Sequence, residues 1–257
     1  MENNGNPAYR LYNIAKDGNR VTDTSSMIIW AEVFGVSPKA NNKFSREEEL
    51  KIISHVNQSR KLVDEVEEIL LTNSEIPHDI YLRPFEKLKL LFPKPSFLQR
   101  QHKHQSTLNE TDFTLLELCV RAVDKVYKEK SVNEDDLKTL LSEIQSLYEQ
   151  IIDLDINKNL KRILLDMLKI MENAIHEYRI RGVERLGEAV EQLVGIYIFN
   201  KETIEKSSAE EVRKVRNILN KFGSMYSFAA DTVQLLGAGE VIKNTGEFIT
   251  RFLGSGK

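Results

Sequence analysis

The chain holds one cysteine, Cys119. That excludes an intramolecular disulfide and any metal site built from several thiolates, and it fits a reducing compartment. Set among Leu115, Leu118 and Ala122, Cys119 is expected to pack in a core and not to act as a nucleophile. Turn formers are also scarce, with 12 Gly and 6 Pro in 257 residues. A sheet protein would need more, whereas abundant Leu, Glu, Lys and Ile suit helices. Charge of one sign is missing too: the net charge of −3 gives the whole molecule no pull toward nucleic acid or an anionic membrane, so such affinity would need a local patch. No uncharged apolar run approaches the roughly 20 residues that span a bilayer. The first residues, Glu2 to Asn6, lack the basic and apolar regions of a signal peptide. A cytoplasmic location is the expectation.

What is present is helical periodicity. From Asn157 to Phe199, Leu160, Ile163, Leu164, Met167, Leu168, Met171, Ile175 and Tyr178 recur three and four residues apart, and Leu186, Val190, Leu193 and Tyr197 continue the phase. This is one apolar stripe on which other helices can pack. Arg179 and Arg181 suit a helix C-terminus and Glu184 and Glu188 a helix start, so the spacing predicts a break at Gly182 and two helices, about 157–181 and 183–198.

Elsewhere, residues 1–22 show no sustained period and read as a flexible tail whose aromatics dock. A short helix follows from a cap at Thr24, Ser25 or Ser26 to Phe34. Ser45 and Glu48 form a capping box for a helix of about 46–71 whose stripe includes Leu50, Ile53, Val56, Leu62, Val66 and Leu70. Pro77, Pro84, Pro93 and Pro95 then break the pattern, marking a boundary near residue 105. Beyond it come helices from Asn109 to about Lys130, with Val126 in the stripe, and from an Asn133 cap to Ile151. A last pair follows Ser207 or Ser208.

Two stretches are candidate surfaces. Arg83, Lys87, Lys89, Lys94, Arg100 and Lys103 face one acid, Glu86, and interleave with Phe85, Phe92 and Phe97. Cations can neutralise phosphates and rings can stack on unpaired bases, so this is a candidate nucleic-acid or partner patch; the plainer reading is a solvated connection between helical units. Near the C-terminus, Gly223, Ser224, Ser227, Ala229, Ala230, Gly237, Ala238 and Gly239 permit close helix approach. There Phe222, Met225, Phe228, Leu235, Leu236, Phe248 and Phe252 form a candidate oligomer or membrane face, although Asp231, Glu240, Lys243, Glu247 and Arg251 punctuate it as in an ordinary amphipathic helix.

Catalytic and cofactor chemistry finds no constellation. His102 and His104 lack a nearby acidic or cysteine co-ligand. Asp153, Asp155 and Asn157 open like a calcium loop, but Lys158 replaces the required glycine and Leu164 the closing Glu, so a helix cap is the better reading. Glu172 and His176 stand alone, without the paired Glu-x-x-His motifs of metal bundles. The glycines near 237 and 254 lack nucleotide-loop spacing.

The expectation is therefore an all-α protein of about eight to ten helices: a tail at 1–22, a smaller unit at 23–105 and a larger bundle at 106–257. Functionally it reads as a bacterial-type, non-catalytic interaction or regulatory protein, binding another protein or itself as a homo-oligomer, with no cofactor and no metal. The alternatives are membrane action through 222–253 and nucleic-acid binding through 83–104.

Overall fold

A computed structural model describes residues 5–22, 24–38, 43–73, 76–94, 104–127, 131–206 and 210–230. The protein is an all-α, multi-helix structure, and it divides into two compact units, residues 1–128 and 129–257.

The first unit contains α1 (Pro7–Gly18), α2 (Ser26–Val33), α3 (Arg46–Thr72), α4 (His78–Tyr81), α5 (Phe85–Leu91) and α6 (Glu110–Val126). Instead of a flexible tail, residues 7–18 form a helix with Leu11, Ile14 and Ala15 fully buried. Asn6 anchors it twice: its Oδ1 accepts from the Ala8 and Tyr9 amides, and its Nδ2 donates to the Val120 carbonyl at 2.9 Å. A stripe this short carries little periodic signal, and the partner that stabilises it lies more than a hundred residues away.

The division also falls later than residue 105, because α6 packs on α1, α3 and α4. The proline-interrupted stretch is tied into the unit, not strung between two. The Asn19 side chain accepts from the Thr107 and Leu108 amides at 2.9 and 3.0 Å and donates to the Leu108 carbonyl at 2.9 Å. Trp30 sits at the centre, its ring near those of Phe34, Phe92 and His104. The Ser45–Glu48 capping box is present on α3, while Leu50 and Val126, expected in stripes, are half exposed.

The second unit contains α7 (Glu134–Asp153), α8 (Lys158–Arg181), α9 (Val183–Glu205) and α10 (Glu210–Ala230). Asn157 caps α8, accepting from the Asn159 and Leu160 amides. Every stripe residue named from Leu160 to Tyr197 is buried, and these side chains form one core with residues of α7 and α10. Tyr178 adds a polar tie: its hydroxyl accepts from the Val132 amide at 2.9 Å. The break falls at Gly182, with φ 61° and ψ −148°, a backbone region essentially restricted to glycine. Helix α9 runs on to Glu205, past the expected end near 198.

Candidate interaction surfaces

Two cations of the basic stretch, Lys87 and Lys89, pair with acids from other helices. Arg83 Nε donates to the Asp79 carbonyl at 3.1 Å. Lys87 Nζ pairs with the buried carboxylate of Asp112 at 2.7 Å, the same carboxylate that accepts from the Asn109 amide in the α6 capping box. Lys89 pairs with Glu67 at 2.8 Å and lies 3.6 Å from Glu86. Its hydrogen bond to Glu67 raises its pKa further above the ordinary lysine value. Lys94 is exposed; Arg100 and Lys103 lie outside the described residues. Phe85 and Phe92 are core residues, so neither offers a free face for stacking on a base. Phe97 is outside the described residues.

His104 is a structural tie. Its Nε2 donates to the Gly18 carbonyl at 2.5 Å, its Nδ1 faces Ser26 Oγ at 3.3 Å, and its amide donates to the Thr24 carbonyl. Burial is the main cause holding its imidazole below the usual range of about 6.5. The folded state therefore favours the neutral ring, and its contribution to stability is present above that range and lost as pH falls through it. The urea midpoint of the wild-type protein is expected to fall between pH 7.5 and pH 5 more steeply than that of His104→Gln. Equal falls would remove His104 as the cause.

Cys119 is buried with its thiol pKa pushed up to about 12 by desolvation, which disfavours the nucleophilic thiolate. Among the described residues no group of three His, Cys, Asp or Glu side chains is placed to hold a metal ion.

Of the candidate C-terminal face, Phe222 is buried in the core of the second unit and Met225 is partly buried against it. Phe222 thus serves packing within the unit. The Phe228 side chain and residues Leu235, Leu236, Phe248 and Phe252 lie outside the described residues. Among the described residues no helix is long and apolar enough to cross a membrane.

Across the α8–α9 turn, Arg181 at the end of α8 forms a fork to Glu188 on α9, with N–O distances of 2.8 and 2.5 Å, and Arg185 on α9 pairs with Glu177 on α8. The Arg181 hydrogen bonds hold the Glu188 carboxyl below the usual carboxylate range. These pairs span the turn at Gly182 and set the path from α8 into α9.

The most distinctive surface is farther along α9, and the sequence reading passed over it. Ile198 is 50% exposed and Phe199 89% exposed. One turn earlier, the space above Gly195 is open: a Cβ built there meets nothing within 4 Å. The available signal was the run Leu193 to Phe199, which is uncharged. With Leu193 and Tyr197 buried in the core and Val194 and Ile196 packed partly against it, Ile198 and Phe199 are the side chains of the run left exposed.

Fold and surfaces together describe a helical protein whose evident chemistry is packing and ion pairing. No protein-family profile matches the chain, and no solved structure matches it. Among curated proteins it is similar to the spindle pole body-associated protein VIK1 of Saccharomyces cerevisiae, with 22% identity over 200 residues, covering 71% of this chain and 29% of that protein. The chain thus spans less than a third of the length of the relative it matches. A match to a yeast protein lends no support to the bacterial origin expected from the sequence.

Proposed function

We propose that this protein is non-catalytic and acts by binding protein, another chain or its own, in a scaffold or regulatory role. The observation that carries this reading is the exposed apolar strip on α9. Phe199 stands almost wholly in solvent beside Ile198, and exposed apolar clusters of this kind are typical of interaction sites. The name of the yeast relative, a spindle pole body-associated protein, agrees with a structural role. Nucleic-acid binding through 83–104 is less favoured, because Lys87 and Lys89 already face Asp112 and Glu67.

The test is cross-linking of the full chain in its native cell, followed by mass spectrometry. Reproducible cross-links to defined protein partners or to a second copy are expected. Their absence, combined with salt-sensitive retention of RNA or DNA or with flotation on anionic liposomes, would overturn the reading.

A further inference from the structure

The apolar strip on α9 has a shape and charge pattern that fit a second copy of itself. On a helix of 3.6 residues per turn, Glu188, Gln192, Gly195, Phe199, Glu202 and Lys206 fall along one side of α9. All of them lie symmetrically about Tyr197: Gly195 and Phe199 are two positions either side of it, Gln192 and Glu202 five, and Glu188 and Lys206 nine.

Resting on the protein-binding reading above, we propose that this face of α9 is an interface between two copies of this chain. Their α9 helices pack antiparallel about a two-fold axis level with Tyr197. In that arrangement each Phe199 lies level with Gly195 of the second copy, so the large exposed ring enters the space that the missing side chain leaves open. Each contact occurs twice, as an isologous interface requires.

Electrostatics agree with this register. Glu188, whose carboxylate is held in the Arg181 fork, comes level with Lys206 of the second copy, which can keep its i,i+4 contact with Glu202. Glu202 comes level with the uncharged Gln192, and exposed Glu191 comes level with Thr203. No two like charges meet at the same level. A parallel pairing in register would instead set the exposed Glu202 against Glu202, a repulsive arrangement. One helix crossing is smaller than the standard stable interface of about 1,200–2,000 Å², so a monomer–dimer equilibrium that depends on concentration is expected.

Sedimentation equilibrium of the full chain tests this. The wild-type protein is expected to dimerise, Phe199→Glu to weaken dimerisation at least tenfold, and Gly195→Leu to weaken it by filling the space opposite Phe199. Gln192→Lys places a cation opposite Glu202 of the second copy and is expected to tighten the dimer severalfold at low salt, an effect that fades as salt is raised. Both Gly195 and Phe199 lie on an open surface, so circular dichroism should show folded variants; should Phe199→Glu fail to fold, Gly195→Leu and Gln192→Lys decide. A chain that stays monomeric at every concentration overturns the proposal. So does a dimer unmoved by these substitutions, which would place self-association on another face and leave the broader protein-binding reading standing. Cross-linking only to other proteins would have the same consequence.

Discussion

Trp30→Ala is expected to destabilise the first unit by about 3–5 kcal/mol, the usual cost of emptying an aromatic site in a core. Trp30 has no solvent exposure and is surrounded by Phe34, Phe92 and His104, which arrive from three separate segments of the chain. Their collapse into the vacated space is opposed by their own anchors, among them the bond from His104 to the Gly18 carbonyl. The fit is tightest at Gly18, where a Cβ would lie 2.3 Å from Trp30 Cη2 and 2.7 Å from Cζ3. Gly18→Ala is therefore expected to cost about 1–3 kcal/mol through overpacking. In a Trp30→Leu background those ring atoms are gone and the cost of Gly18→Ala should largely vanish. Urea denaturation followed by circular dichroism on the four proteins of this cycle checks the coupling. Additive effects would mean that Gly18 and Trp30 are not in the contact described.

Leu168→Ala is expected to cost about 2–5 kcal/mol. Leu168 is fully buried on α8, the helix that packs against α7, α9 and α10. A cavity there removes contacts to several helices at once, and dense packing limits how far they can close over it. Leu165 on the same helix is only partly buried, so Leu165→Ala should cost distinctly less. Thermal unfolding of the two variants by circular dichroism measures the difference. Equal losses would show that α8 does not present the Leu168 side to the core.

The two variants probe features that differed in legibility. The Leu168 stripe could be read directly, because a long helix buried along one side repeats its apolar residues every three or four positions. Gly182, the Ser45 and Asn157 caps and the limits of α3 were readable for the same local reason: caps and helix breaks depend on residues within one turn. The burial of Trp30 against Gly18 and His104 was not, since it joins residues separated by as many as 86 positions and leaves no periodic trace. Likewise, α1 looked like a tail until Asn6 and its distant acceptor on α6 were seen together.

Candidate surfaces divided along the same line. The basic run between Arg83 and Lys103 could be counted, but the acids that engage Lys87 and Lys89 come from α6 and α3. For these two lysines the counter-charges lie far along the chain and are brought to them only by folding. Phe199 is the opposite case, an apolar residue two positions past the last stripe residue Tyr197 that faces solvent, because a helix has only one side against its own core.

By itself, the sequence determined the all-α class, most helix limits and the buried stripe of α8 and α9, since these follow from local propensity and from the 3.6-residue repeat. Only the tertiary structure decided which helices share a unit, which charges are already neutralised and which apolar residues remain outside. Those outcomes depend on pairings between distant segments, and neither composition nor periodicity encodes a partner's position.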